Sequence, residues 1–188
     1  MASHLARSIA FARRAAVRCG LVRFRRSESG ATVVEFSLVA LPFFALLFAI
    51  IETSLLFFAD QALDTAVSST ARLVRTGQAQ EDGMTAAQFK TAVCGQMVGL
   101  LDCSKLKVDI RKYADFDSIS LDTPVDDDGN LEVTENYQTG HGGDIVVVRA
   151  YYEWPTFVPG LGNNLADMPN GTHLLVATAA FRNEPFSW

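Results

Sequence analysis

The chain has 188 residues, 49% hydrophobic and 20% charged, which is enough for one modest packed domain plus an anchor. Its net charge of −5 conceals an asymmetry: residues 1–30 carry seven arginines and one acid (+6), and residues 31–188 carry 9 basic and 20 acidic residues (−11). An arginine-rich head alone is compatible with nucleic-acid binding or an organelle transit peptide. The apolar run that follows at once favours a role in membrane insertion instead, with the basic end in the cytoplasm and no nucleic-acid partner.

The apolar run covers residues 36–58 and is interrupted by Glu52, Thr53 and Ser54. As a helix it would be about 34 Å long, and a bilayer core is about 30 Å thick, so we predict a transmembrane helix over about 36–58. Pro42 is expected to kink this helix or loosen its hydrogen bonds. Since no small-residue cleavage site follows the run, removal as an ordinary signal peptide is disfavoured.

Apolar residues continue at three- and four-residue steps as far as Val74, so the first helix is predicted to run from about Thr32 to Thr76. In the second half of this helix, the apolar residues form a stripe along one face. This apolar stripe needs a partner surface, which the sequence does not identify. The segment Gly77–Gly83 is predicted to be a polar linker. We therefore divide the chain into a basic cytoplasmic leader (1–30), a helix (31–76) and a periplasmic domain (77–188).

The domain after the linker is predicted to be of the α+β class. Thr85 and Gln88 form a capping box that opens a helix through about Met97. Alternating apolar residues predict a strand over 105–116. Residues 144–154 give the strongest strand signal in the chain, and residues 172–181 predict a last strand. A long N-terminal helix followed by a small domain with an antiparallel sheet of three to four strands is the expected architecture.

Three cysteines are present: Cys19 in the basic head, and Cys94 and Cys103 in the body. If the body is exported to an oxidising compartment, the latter two can form a disulfide bond. The alternative is a pair of free buried thiols.

Signals for an enzyme are poor. His4 lies in the head, and His141 and His173 share no metal-ligand spacing with cysteine or with each other. Serine-nucleophile and phosphate-loop signatures are missing. We therefore predict a protein that is not an enzyme and needs no cofactor.

One partial metal motif is present in the stretch PVDDDGNLEVTE. Asp126, Asp128 and Glu135 match positions 3, 5 and 12 of a calcium loop, but Pro124 stands at position 1, where it cannot ligate through a side chain. No flanking helices are predicted. The stretch is interpreted as an acidic turn, with these three carboxylates as a weak calcium candidate.

Two acids lie in or beside the apolar run, Glu35 and Glu52. A carboxylate inside the hydrocarbon costs about 2.5–3.5 kcal/mol, so such acids are functional candidates. A cut after Gly30 would create an α-amine on Ala31, one helical turn from Glu35, where opposite charges meet. An uncleaved anchor with Glu35 snorkelling to the interface is an equal alternative on the residues alone. Glu52 is expected to affect packing with a partner helix.

The N-terminal part of the chain resembles the pattern of type IV prepilin-like proteins. It has a basic leader that ends in Gly30, then four residues, then Glu35, Phe36 and an apolar run. Within that class, ESGATVVEFSLVALPFFALLFAIIE is similar to the N-terminal domain of the TadE-like pseudopilins of the tight-adherence (Flp) pilus system. Three further features also resemble those of proteins in this family: the Cys94–Cys103 pair, GDIVVVRAYYEWP and the terminal FRNEPF. The leader is long and arginine-dense, which departs from the family pattern.

The resemblance implies that a prepilin peptidase cuts between Gly30 and Ala31. It also implies that Glu35 supports processing and pairs with the N-terminus of an adjacent subunit. The mature chain would act in pilus assembly with other pilins or pseudopilins and the assembly platform. It would sit in the bacterial inner membrane with its C-terminal domain in the periplasm. The alternative function is that of an uncleaved, single-pass periplasmic binding or adaptor protein, and whether the protein enters the fibre stays open.

Overall fold

The computed structural model describes residues 28–97, 99, 101–157 and 165–187. Most of the predicted basic leader, with His4 and Cys19, therefore lies outside the described residues. The chain divides into two compact units, Met1–Leu47 and Phe48–Trp188. The boundary predicted at residue 77 thus falls within the second unit, because the second half of the first helix packs with the domain that follows it.

The first helix, α1, runs over Glu28–Arg75 and contains 48 residues, which confirms the prediction of one long helix. It is continuous through Pro42. Its C-terminus carries Arg72 and Arg75, whose charge is favourable near the negative end of a helix dipole. Gly77 then adopts a left-handed conformation with φ of 82°, which glycine reaches without steric cost.

In the first unit, the side chains of α1 are almost all exposed and apolar from Val33 onwards. The Ser37 hydroxyl donates a hydrogen bond to the Val33 carbonyl at 2.7 Å, so this polar group is satisfied within the helix. Within the described part of the chain, α1 is the one helix long and apolar enough to cross a membrane. Its length and composition fit a single-pass anchor.

In the second unit, α1 packs against a sheet of the same chain. The helix contributes buried residues at three- and four-residue steps, among them Leu63, Val67 and Val74. These join one core with alternate residues of the second strand, such as Val148 and Tyr152. The partner that the apolar stripe required is therefore the protein's own sheet.

The sheet has three antiparallel strands in the order β1 (Lys107–Tyr113), β2 (Ile145–Pro155) and β3 (Thr172–Arg182). Lys107 lies opposite Tyr151 in the first pair of strands, and Pro155 lies opposite Thr172 in the second. All three strands were predicted, and their number falls within the predicted three to four. A parallel bridge between Ile110 and Tyr137 adds a short contact at the β1 edge.

Strand β2 is buried on both faces. Its first eight residues are all buried, whereas an antiparallel strand commonly has one solvated face. The Arg149 guanidinium donates hydrogen bonds of 3.0 Å to the carbonyls of Leu121 and Asp122, so the loop after β1 covers the face opposite α1. The guanidinium carbon also lies 5.0 Å from the centre of the Tyr151 ring.

One predicted element was wrong. The segment Gly77–Gly83 was expected to be a linker, but it contains the helix α2 over Gln78–Glu81. The Gln80 amide donates to the Thr139 carbonyl at 2.8 Å and to the Val74 carbonyl at 3.2 Å. Polar composition predicts solvent exposure, but a tertiary hydrogen bond of this kind leaves no local pattern.

Helix α3 spans Ala86–Gln96 and begins as predicted. The Thr85 hydroxyl accepts from the Gln88 backbone N–H, and the Gln88 side chain accepts from the Thr85 N–H, which completes the capping box. A 3₁₀ turn, Cys103–Lys105, then leads into β1.

Candidate functional site

Gly30 lies within α1, where the fold has no need of a glycine. A Cβ added to this residue would meet nothing within 4 Å. Glycine in a helix is less favourable than alanine by about 0.5–1 kcal/mol. Neither packing against the described residues nor backbone conformation requires glycine at this position.

Glu35 follows on the same helix and is exposed. Its side chain makes no hydrogen bond or ion pair with the described residues. Residues at positions i and i+4 are neighbours on a helix surface, so Ala31 and Glu35 lie on one face, about 6 Å apart along the axis. Among the described residues, no positive charge is paired with this carboxylate.

Glu52 is only 6% exposed, and it faces the domain that follows α1. Its Oε1 accepts a hydrogen bond of 2.6 Å from the backbone N–H of Phe157, which follows the end of β2. A buried carboxylate is costly unless hydrogen-bonded, and a charge-assisted bond to a backbone N–H is among the stronger ones. The two residues are 105 positions apart, so no local pattern could have paired them.

The predicted disulfide bond is present between Cys94 in α3 and Cys103 in the 3₁₀ turn, with 5.7 Å between the Cα atoms. Beside it, the Asp102 carboxylate accepts from the Ser104 N–H at 2.9 Å, which lowers the pKa of Asp102. The Asp102 N–H in turn donates to the Tyr152 hydroxyl of β2 at 3.1 Å. The bridge and this turn together fix the connection from α3 to the sheet.

The acidic stretch forms a tight turn. Asp126 Oδ1 accepts from the N–H groups of Asn130 at 2.7 Å and Asp128 at 3.0 Å. These bonds, with that of Asn130 first, lower the pKa of Asp126. Glu135 instead accepts from the Val108 N–H of β1 at 3.0 Å. Across the described ranges, no group of three or more acids, histidines or cysteines could hold a metal ion.

The two histidines of the body make local contacts. The His141 backbone N–H donates to Asp144 at 2.8 Å, which is the first cause of the lowered pKa of Asp144. His173 Nδ1 lies 2.8 Å from the Leu165 carbonyl and 3.1 Å from the carboxylate of Asp167. These arrangements stabilise loops beside β2 and β3.

The C-terminal segment is held at the end of α1, a feature that sequence reasoning missed. The buried Asn183 amide donates to the carbonyls of Thr139 and His141 at 2.9 and 3.0 Å. The Glu184 N–H donates to the Arg75 carbonyl at 2.8 Å. The run FRNEPF therefore fixes the C-terminal segment to the end of α1 and to the loop before β2; we call this contact the C-terminal clasp. In the sequence, only the family resemblance singled out this run.

Two glycines make room for this clasp. A Cβ on Gly77 would lie 2.6 Å from the Phe186 ring, and a Cβ on Gly142 would lie 2.5 Å from the Phe186 carbonyl oxygen. The second contact is with backbone, which cannot move aside as a flexible side chain can.

Residues 30–72 match the family model for TadE-like proteins. The TadE-like match begins at Gly30 and ends in the last turns of α1, so it covers the exposed apolar half, both acids and most of the stripe that packs on the sheet. It indicates a pilus-associated, pseudopilin-like protein with a membrane anchor. No curated protein and no solved structure matches the chain.

Proposed function

We propose that the protein is a minor pilin-like component needed to assemble a tight-adherence (Flp) pilus, and that a prepilin peptidase cuts it between Gly30 and Ala31. One observation carries the proposal: the TadE-like match begins at Gly30, a position where the fold itself does not require glycine. A protease that reads a small residue before the scissile bond accounts for both facts.

The cut would create a positively charged partner for Glu35. The new α-amine on Ala31 carries a positive charge at neutral pH, because α-amines titrate near pH 7.7–8.0. It would meet the Glu35 carboxylate of the same helix or of a neighbouring subunit, and pairing reduces the cost of both charges in a low-dielectric layer. The Glu35 carboxylate would then bind the new N-terminus that the cut creates and would also contribute to the contact between subunits.

The charge order supports insertion with the leader in the cytoplasm and residues 77–188 in the periplasm. The Cys94–Cys103 disulfide bond is consistent with an oxidising compartment. The partners of this function are the prepilin peptidase, other pilins or pseudopilins and the assembly platform in the inner membrane.

The experiment that tests the cut is mass spectrometry of the mature N-terminus, on protein isolated from membranes of the native host. We expect a chain that starts at Ala31. Intact residues 1–30 on the membrane form would overturn the processing step and favour an uncleaved anchor.

A further inference from the structure

The part of α1 from Glu52 to Ala59 has two different faces. Glu52, Leu56 and Ala59 are buried against the domain. The opposite side carries large exposed apolar side chains, with Phe57 at 66% exposure and Phe58 at 48%. The helix therefore already contacts the domain while its outer surface is still that of a membrane span.

The polar side chains in this stretch do not interrupt the apolar surface. The hydroxyl of Thr53 donates to the Ala49 carbonyl at 2.8 Å, and that of Ser54 donates to the Ile50 carbonyl at 2.7 Å. Hydroxyls bonded back to their own helix are tolerated in lipid, because they leave no donor unsatisfied. The first exposed charge after Glu52 is Asp60, eight residues or about 12 Å farther along the axis.

Phe157 is hydrogen-bonded to Glu52 of α1. Its backbone N–H donates to Glu52 Oε1 at 2.6 Å, and its ring meets the Trp154 ring edge-on at 6.3 Å between centroids. The Phe157 side chain is nevertheless 63% exposed. An exposed aromatic residue of the domain is thus bonded to α1 at Glu52, a residue that precedes the exposed Asp60 by about 12 Å along the helix axis.

The level of Glu52 lies near a membrane surface if the span begins at Ala31, five residues before the start of the predicted span of 36–58. Residues 31–51 span about 32 Å as a helix, close to the thickness of a hydrocarbon core of about 30 Å. Aromatic residues are enriched at this boundary, and amphipathic elements there bury their apolar side about 5–10 Å deep.

We propose that Phe157, together with Phe57 and Phe58, inserts into the lipid interface on the domain's side of the membrane. Glu52 is the positioning residue that holds Phe157 at this depth through its hydrogen bond. The domain is then bound to the bilayer at a second point besides its anchor. The proposal needs α1 to span a bilayer, but it does not depend on cleavage or on pilus assembly.

The test uses the full chain in vesicles of phosphatidylcholine and phosphatidylglycerol with brominated acyl chains, which quench nearby tryptophan. Trp154→Phe and Trp188→Phe together give a tryptophan-free background. The Trp154 indole N–H has no acceptor in the described part of the chain, so this change breaks no hydrogen bond there. Phe157→Trp is then compared with a matched control, Phe116→Trp.

Phe116 suits this control because it is also an exposed phenylalanine, at 52%. It follows Tyr113, which lies opposite Ile145 at the start of β2, whereas Phe157 follows the end of the same strand. The two positions are thus separated by the length of an 11-residue strand, about 36 Å.

We expect loss of fluorescence from Phe157→Trp, larger with bromines near the headgroups than with bromines near the chain ends, and no loss from Phe116→Trp. Adding Glu52→Ala should reduce the quenching, and adding Glu52→Gln should preserve it, because the amide oxygen still accepts the N–H. Equal quenching at positions 157 and 116 overturns the lipid contact, whether or not the Glu52 variants fold. Equal quenching with Glu52→Ala and Glu52→Gln, in chains with unchanged circular dichroism, overturns the positioning role. Protection of position 157 that appears only at high protein density assigns the surface to a second copy and also overturns the proposal.

Discussion

A substitution at Gly30 can test processing without disturbing the fold. A side chain at this position meets open space, so Gly30→Leu should leave the helix intact, and leucine has a higher helix propensity than glycine. A peptidase that requires a small residue before the cut would reject it. We predict that the variant accumulates as the uncut chain, visible as a shift in mass of the membrane-bound protein.

The matched control is Gly95→Leu, in helix α3, where an added Cβ also meets nothing within 4 Å. This variant should be processed as the parent is. Normal cutting of Gly30→Leu would show that the glycine is not read by the peptidase, and would remove the observation on which the proposed function rests.

Glu35 carries the second residue-scale prediction. Glu35→Gln keeps the shape of the side chain and removes its charge, so the pairing with an α-amine is lost while helix packing is not. We predict fewer surface pili and weaker adherence. Asp64→Asn removes an exposed charge from the same helix outside the apolar run and serves as the control. Piliation of the Glu35 variant equal to that of the control would refute the charge-pair role.

At the scale of elements, the C-terminal segment packs closely against Gly142 in the loop before β2. Gly142→Ala would place a methyl group 2.5 Å from the Phe186 carbonyl oxygen and 2.7 Å from its nitrogen. Overpacking of this kind costs about 1–3 kcal/mol. We predict a lower urea midpoint for the detergent-solubilised protein, followed by circular dichroism.

Gly95→Ala again provides the comparison, since it adds the same methyl group where there is space. It should leave the midpoint unchanged or raise it slightly, because alanine favours a helix. If both variants unfold at the same urea concentration, the C-terminal segment does not pack on Gly142 as described.

The elements that sequence reasoning found are those with a local periodic or capping signal. The long helix follows from its apolar run, α3 from the Thr85–Gln88 box, and β2 from a stretch that opens with four β-branched residues and continues with aromatic ones. What it missed depends on contacts between distant positions. The bond from Phe157 to Glu52 and the bonds of Asn183 join residues tens of positions apart, which no window of sequence can register. The candidate site divides in the same way: Gly30 and Glu35 are predictions from the spacing and the family resemblance, whereas the surroundings of Glu52 required the fold.

At the scale of the whole molecule, the uneven charge distribution makes a prediction about topology. Arginine-rich segments stay in the cytoplasm, so the native Cys19 should lie on that side and Asp127, in the acidic turn, on the other. Cys94 and Cys103 are joined to each other and do not react with thiol reagents. In the uncut Gly30→Leu background, a membrane-impermeant maleimide should label Asp127→Cys in intact spheroplasts. Cys19 should react only after the spheroplasts are lysed, and Cys19→Ser should abolish that second signal. Labelling of Cys19 before lysis would place the basic head outside the cell membrane and reverse the topology on which both processing and assembly depend.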